Sequence, residues 1–234
     1  MPDGLEIAAR IMSDDLYRLN VISQNLANAG TTGYKKEMVV ARPFLDYLQK
    51  NVPVSMPALS SVVDPRQGAL TQTGQALDLA IEGRGFFELQ GADGPLYTRQ
   101  GSFRLDARGR LVTPSGAPLM GVGGEIVRNG TQPNIDRQGR VLEGERQVAQ
   151  LKVVDFGNAR ELTPLGGGLY GATARPELIT EAFQVRQGYL EASNVSTLPE
   201  MVGLIALARR FEAASRVAQG YDGMLGAALR VAEF

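Results

Sequence analysis

The sequence of 234 residues contains no cysteine and no histidine. The absence of cysteine excludes disulfides, thiolate catalysis and structural zinc sites of the usual kind. The absence of histidine removes the commonest general base and the commonest metal ligand. Because the side chains on which most catalytic and metal centres are built are missing, the sequence predicts no catalytic residue, no cofactor and no metal.

The chain also has no apolar run of roughly 18 residues, the length that would predict a membrane-spanning helix. No basic segment followed by an apolar core stands at its N-terminus, so no cleaved secretory signal is expected. Its 24 basic and 25 acidic residues leave a net charge of -1, which indicates neither nucleic acid nor an anionic membrane surface as a partner. If the protein leaves the cytoplasm, we expect a route that reads no such signal.

The last forty residues carry the strongest helix pattern. Thr197 and Glu200 predict a capping box at the helix start, and Pro199 fits the first turn. Apolar residues then recur in one heptad frame, which is typical of a narrow packing seam. The seam consists of Met201, Leu204, Ala208, Phe211, Ala218, Leu225 and Leu229. Four glycines in this helix each weaken it by about 1 kcal/mol relative to alanine, so it needs a packing partner.

The first thirty residues carry a matching helix. Its heptad seam consists of Leu5, Ala8, Met12, Leu19, Ile22 and Leu26, and Asp15 is the one break. Two terminal helices with matching seams are most simply interpreted as pairing with each other. We therefore predict a helical coiled-coil domain formed by residues 1–30 and 190–234. The alternative is that both helices merely pack on the central domain.

Between the helices, the pattern predicts a linker and then a β domain. Prolines punctuate residues 31–75, which predicts an extended linker without long helices. Short alternating runs separated by glycine turns predict an all-β antiparallel domain in residues 76–189. The fold class is thus α+β, with the β domain inserted between the two helices. Asp106 and Asp136 open two similar D-x-x-G-R segments, which we interpret as hairpin turns with a bulge glycine.

A search for chemistry yields only weak candidates. The glycines at 83–85 and 121–124 lack a following helix and the ending of a phosphate loop, so we interpret them as tight turns. Asp78, Glu82 and Glu88 could supply a carboxylate pair, but solvated charges on a strand would look the same. A binding module or carbohydrate-acting enzyme with helical anchors is thus an alternative function, and a secreted coiled-coil adhesin is another.

Six segments together resemble a known family. Residues 21–35 resemble the N-terminal signature of flagellar basal-body rod and hook proteins, and residues 77–87 and 97–103 resemble the central motifs of the same family. Residues 188–195, 200–202 and 210–212 are similar to its C-terminal signature. The resemblance follows the family's order along nearly the whole chain, which makes it more specific than any single motif.

The resemblance implies a structural subunit of the flagellar rod and not an enzyme. Its expected partners are copies of itself, other rod proteins and the flagellar type III export apparatus, and its expected location is the periplasmic rod. The terminal helices would then form the assembly interface. Those interface residues are Leu5, Met12, Leu19, Ile22, Leu26, Met201, Leu204, Ala208, Phe211, Ala218, Leu225 and Leu229.

Within the family, two segments point to different members. Residues 207–212 are more similar to proximal-rod members, whereas residues 44–48 are more similar to distal-rod members. We expect the proximal-rod type and keep the distal-rod type as the alternative.

Overall fold

The computed structural model describes residues 4–41, 59–127 and 133–232. The chain forms two compact units. Among the described residues, the helical unit comprises 4–27, 37–41, 59–61 and 196–232, and the β unit comprises 28–36, 62–127 and 133–195. Each unit is therefore assembled from segments that are distant in sequence.

The helical unit is formed by the two ends of the chain. Helix α1 (Gly4–Ala27) packs along helix α2 (Thr197–Ala232), and strand β1 (Glu37–Ala41) pairs with β2 (Leu59–Val63). The terminal helices contact each other and flank a central antiparallel β region. The predicted α+β fold class is confirmed.

The predicted capping box of α2 is wrong by one position. Thr197 is the first helical residue, so the capping position falls on Ser196, whose carbonyl accepts a hydrogen bond from the Glu200 amide at 3.4 Å. The Glu200 carboxylate is almost fully buried and lies 3.5 Å from the side-chain amide of Asn25 on α1. The surroundings of Glu200 are therefore set by its contact with α1 as well as by its position in the first turn of α2.

The β unit contains the remaining strands. A six-stranded antiparallel sheet has the order β15 (Leu162–Gly166), β16 (Leu169–Ala172), β6 (Pro95–Thr98), β5 (Phe86–Gln90), β14 (Val153–Asp155) and β17 (Glu177–Leu178). A three-stranded sheet comprises β11 (Asn134–Ile135), β12 (Arg140–Glu143) and β13 (Arg146–Gln150). The two-stranded pairings are β3 (Leu70–Gln72) with β19 (Tyr189–Glu191), β4 (Leu79–Gly83) with β18 (Phe183–Gln187), β7 (Arg104–Leu105) with β8 (Leu111–Val112), and β9 (Met120–Gly121) with β10 (Gly124–Glu125).

Strand β5 lies between the two hydrophobic clusters of the β unit. Successive side chains of a strand point to opposite faces, so the adjacent Phe86 and Phe87 enter different clusters. Phe87 packs edge to face on Phe103 with ring centroids 5.5 Å apart, while Phe86 packs on Tyr170 at 5.8 Å. Both faces of β5 are therefore buried, which explains why two large apolar residues stand next to each other at its start.

Both D-x-x-G-R segments form the predicted hairpin turns. The Asp106 carboxylate accepts hydrogen bonds from the backbone amides of Arg108 (2.8 Å) and Arg110 (2.9 Å), and Gly109 has a φ of 73°. The segment from Asp136 repeats the same bonds at 3.0 and 2.9 Å. A short carboxylate at the first position and a glycine at the left-handed position are sufficient to specify this turn.

The sequence pattern missed the strands after residue 171. It assigns residues 175–189 to the β domain without identifying a strand in them, yet β18 pairs with β4 over five residues. Val185 is the one fully buried residue of β18, and the other side chains of this strand are half-buried or exposed. The strand therefore lacks the apolar alternation that would predict it from sequence. The segment 31–75, predicted as an extended linker, contributes β1, β2 and β3, and its residues 42–58 lie outside the described residues.

Ala182, which precedes β18, is the one non-glycine residue with a positive φ (65°) in the part of the chain that the structure describes. A side chain in this left-handed region is strained, whereas glycine adopts it freely. We expect Ala182→Gly to raise the free energy of unfolding by about 1 kcal/mol. Gly144→Ala is the matched control, because Gly144 has a φ of 61° and open space around its Cα, so it should lose stability. Urea unfolding of both variants measures the change in unfolding free energy. A change of the same sign in both variants would contradict backbone strain at Ala182.

Candidate functional site

The two terminal helices run antiparallel with one fixed register. Ile22 lies against Gly203, Asn25 lies near Glu200, and Asp15 pairs with Arg210. The contacts pair higher residue numbers on α1 with lower residue numbers on α2, and the sum of the two numbers is constant, as expected for antiparallel helices without a register shift. A Cβ at Gly203 would stand 3.5 Å from the Ile22 side chain, which is an ordinary van der Waals contact, so the helix pair would also accept alanine at this position.

Polar residues occupy two layers of this otherwise apolar seam. Near the end of α1, the buried Asn25 side chain donates to the Glu37 carbonyl (2.9 Å) and accepts from the Glu37 amide (2.8 Å). Further along, the fully buried Asp15 carboxylate lies 3.1 Å from Nε of Arg210, whose side chain is half exposed. Asp15, which interrupts the apolar pattern of α1 in sequence, thus faces a cation on α2.

The structure places the predicted interface residues on two different sides of the helices. Ile22, Leu204, Phe211 and Ala218 are half-buried, whereas Met201 and Ala208 are exposed. Met12, Leu19 and Leu26 are half-buried on α1. The side chains of Leu5, Leu225 and Leu229 lie outside those that the structure describes.

The sequence missed half of the α2 seam. The half-buried positions Leu207, Ala214 and Tyr221 are absent from the predicted seam. A frame through Leu204, Leu207 and Phe211 follows the same heptad spacing as the predicted frame. Both frames share Leu204 and Phe211, and spacing alone does not decide between them.

The exposed side of α2 carries its own apolar stripe. Leu198, Met201, Val202 and Ile205 are 70%, 48%, 60% and 53% exposed. Their spacing of i, i+3, i+4 and i+7 places them on one face of the helix. We call these four residues the outer stripe. On α1, Leu16 is similarly 50% exposed.

The β unit holds a second constellation, a buried cluster of charges. Nζ of Lys35 lies 2.6 Å from Oε1 of Glu191, and NH1 of Arg99 lies 3.1 Å from Oε2 of the same carboxylate. All three side chains are at most 2% exposed. Lys35 also donates to the Arg66 carbonyl at 2.7 Å, and the Gly68 amide donates to Glu191 at 2.8 Å. One carboxylate thus serves two cations and a backbone amide.

Main-chain contacts surround this cluster. The Gly33 amide donates to the Glu191 carbonyl at 2.7 Å, and the Asn194 amide donates to the Tyr34 carbonyl at 3.4 Å. The Lys36 amide donates to Oδ1 of Asn194 at 2.6 Å. We call Lys35, Arg99 and Glu191, together with the segments 33–36 and 191–194, the clasp. It joins all three regions of the sequence that carry the family signatures.

Burial dominates the electrostatics of the clasp. It lowers the pKa of Lys35, because the loss of hydration outweighs the attraction of Glu191, and the nearby Arg99 charge acts in the same direction. Burial lowers the pKa of Arg99 as well. The second cation is supported by carbonyls, since Arg99 donates to Ile81 (3.1 Å) and Gly83 (2.7 Å), and its guanidinium lies 5.4 Å from the Phe86 ring centre.

The carboxylates considered for catalysis are used in structural contacts. Asp78 accepts a hydrogen bond from Thr73 at 2.7 Å, and Glu82 and Glu88 pair with Arg186 and Lys152 at 2.6 Å each. Within the described residues, no group of three or more acidic, histidine or cysteine side chains could hold a metal ion. None of the helices described there is both long and apolar enough to cross a membrane.

Replacing Glu191 by glutamine should destabilise the β unit strongly. Glu191→Gln leaves the Lys35 and Arg99 charges buried without their shared carboxylate, which costs about 3–5 kcal/mol. Glu88→Gln is the matched control, since its partner Lys152 is one-third exposed and can be hydrated, and we expect a loss of about 1–2 kcal/mol. Urea unfolding followed by circular dichroism measures both, and equal losses would show that the clasp has no special role.

Asp64 makes the stability of the same region depend on pH. The Arg66 side chain donates to this carboxylate at 2.8 Å and lowers its pKa from the usual 3.8. Because the folded pKa is depressed, the stabilisation is present above about pH 4 and is lost as the pH falls through the folded pKa. The difference in unfolding free energy between the wild type and Asp64→Asn should therefore be large at pH 6 and shrink towards pH 3. Asp93→Asn, in an exposed turn, controls for the loss of one charge.

Three family models match the chain in sequence order. Residues 5–35 match the flagella basal body rod protein model, and residues 80–143 match the D1 domain of the flagellar hook proteins FlgE, FlgF and FlgG. Residues 186–231 match the C-terminal model of the flagellar basal body rod proteins FlgE, FlgF and FlgG. The matches cover both helices and much of the β unit.

Similar proteins cover nearly the whole chain. The flagellar basal-body rod protein FlgG of Buchnera aphidicola (subsp. Schizaphis graminum) is 35% identical, with 88% of this chain and 91% of that protein aligned. FlgF of Caulobacter vibrioides is 34% identical over 85% of each chain, and FlgF of Rhizobium meliloti is 30% identical over 98% of this chain and 97% of its own. The family resemblance is confirmed at this level: the chain belongs to the flagellar basal-body rod FlgEFG family and is a structural rod protein of the FlgF/FlgG type, not an enzyme.

Proposed function

We propose that the chain polymerises through its terminal helices with copies of itself and with other rod proteins, and that the resulting shaft transmits torque. The outer stripe carries this proposal. Four large apolar side chains on one helix face expose an apolar surface to water, which favours burial against another protein. Such a face is expected of a subunit whose helix gains a further neighbour on assembly.

The apolar surface that both helices leave exposed supports assembly through the terminal helices. Leu16, which is 50% exposed, gives α1 apolar surface beyond its seam with α2. Each helix therefore carries more apolar surface than one helix pair can bury. A contact between different surfaces of identical subunits does not close on itself, so its repetition builds a helical polymer. The predicted interface residues of both helices remain our proposed assembly interface, to which we add Leu198, Val202 and Ile205.

Within the family, we propose the FlgF type, which is the proximal-rod member. The alignment with Buchnera FlgG spans 237 positions but uses 88% of this chain, about 206 residues, so about 31 positions face a gap in this chain. The alignment with Rhizobium FlgF also spans 237 positions but uses 98%, about 229 residues, which leaves about 8. Since the identities are similar, the smaller insertions favour FlgF, and the FlgG type is the alternative. The segment 44–48, which favours the distal-rod type in sequence, lies outside the described residues.

We further propose that the protein is exported by the flagellar type III apparatus to the periplasmic part of the rod. The helical unit supports a route that requires an unfolded chain. Its glycines lower the intrinsic stability of α2, so most of its helical stability must come from packing. Such a helix can stay unfolded during transport and fold where partners are present.

A charge in the outer stripe should block assembly without unfolding the subunit. Ile205→Asp places a carboxylate at a position that is 53% exposed in the single chain, so folding should be unaffected. In the assembled rod the same carboxylate would be buried, which costs several kcal/mol per contact. We expect loss of swimming and of rod segments containing this subunit. Gln219→Asp, on an exposed polar position of α2, should preserve both.

The measurement combines swimming assays with electron microscopy of purified basal bodies, and circular dichroism of the purified variants. Normal rods in the Ile205→Asp strain would refute the outer stripe as an assembly surface. Phe211→Asp and Leu19→Asp also test the helices, but they alter the half-buried part of the α1 and α2 surfaces and so do not separate folding from assembly.

A further inference from the structure

The two chain segments of the clasp run parallel. Gly33 bonds to Glu191, and Tyr34 and Lys36 bond to Asn194, so the residue numbers on both segments increase together. The Lys35 to Glu191 ion pair lies between these main-chain contacts. Two main-chain bonds, one bond to the Asn194 side chain and the ion pair thus form a short row between the segments.

The path of the chain determines how a pull on the helices would reach this row. The chain enters segment 33–36 from α1, which ends at Ala27, and it leaves segment 191–194 towards α2, which begins at Thr197. A pull transmitted through these connections therefore acts on opposite ends of two parallel segments. This geometry stretches all bonds of the row at once, whereas a pull on the same end would open them one after another.

The clasp is also fixed firmly to the β unit. Glu191 is held by Arg99, which in turn donates to the carbonyls of Ile81 and Gly83 on β4. Gly33 packs against the backbone of Arg99, which directly follows β6. A Cβ at position 33 would stand only 2.2 Å from the Arg99 carbonyl carbon. The Lys35 amide also donates to the Tyr170 hydroxyl at 2.9 Å. Force on segment 33–36 is thereby spread over several strands.

We propose that the clasp is a shear joint, through which mechanical load carried by the chain ends enters the β unit, and that Lys35 is the side chain that strengthens it. Its physiological meaning rests on the proposed rod function, but its mechanical property belongs to the single chain. Because the sequence contains no cysteine, pairs of introduced cysteines can serve as unique attachment points.

The test is mechanical unfolding of the full chain in optical tweezers along two axes. Handles at Ala29→Cys and Ser196→Cys load the clasp. Handles at the exposed positions Val122→Cys and Leu165→Cys load the β unit without passing through the clasp termini. Lys35→Met is introduced on both backgrounds, and it keeps the length of the side chain and leaves Arg99 paired with Glu191, so the β unit should still fold.

We expect Lys35→Met to lower the rupture force along the 29–196 axis about twofold, because methionine removes both the charge-assisted bond to Glu191 and the bond to the Arg66 carbonyl. The force along the 122–165 axis should not change. Lys152→Met, which removes the ion pair with Glu88 outside the clasp, is the matched control and should leave the 29–196 force unchanged. Glu191→Gln should lower the 29–196 force further.

Three results would overturn the proposal: an unchanged 29–196 force in Lys35→Met, an equal drop along both axes, or an equal drop in Lys152→Met. An equal drop along both axes would indicate general destabilisation. The experiment needs no assembled rod, so its failure is distinguishable from failure of the proposed function, which the Ile205→Asp strain tests by itself.

Discussion

The ion pair between Lys35 and Glu191 ties together the segments through which the chain enters and leaves the β unit. These residues are 156 positions apart, and both are buried. Two cations share the one carboxylate, and the carbonyls of Arg66 and Ile81 and other backbone groups supply further hydrogen bonds that offset the burial of these charges. The β unit therefore depends on chain regions that no local pattern connects.

The helical unit depends mainly on apolar packing between its two helices, and not on a buried cluster of charges. Its seam is apolar and contains small residues, and its polar layers are few. Apolar contact is non-directional, so the same helices can bury a second face against another subunit. The β unit, in contrast, pairs the buried charges of the clasp with one another and with backbone carbonyls. This division suits a rod protein, which needs one part that is complete in the monomer and one that gains contacts on assembly.

The sequence predicted features whose cause is local. The periodicity of 3.6 residues located both helices, and the pairing of an aspartate with a following glycine located the turns at Asp106 and Asp136. The strands with strong alternation or glycine boundaries were found as well. The sequence pattern failed to predict β18, whose side chains are mostly half-exposed. It also failed to predict the α2 seam fully, because two heptad frames share Leu204 and Phe211.

The sequence by itself therefore determined the fold class, the family and the lack of histidine or cysteine chemistry, because composition and short motifs are properties of the chain. Only the tertiary structure decided which face of α2 lies on α1, which cation faces Asp15, and that Lys35, Arg99 and Glu191 meet. The reason is physical: periodicity specifies which residues share a face, whereas partners across long sequence distances are selected by burial and by the pairing of opposite charges in the folded chain.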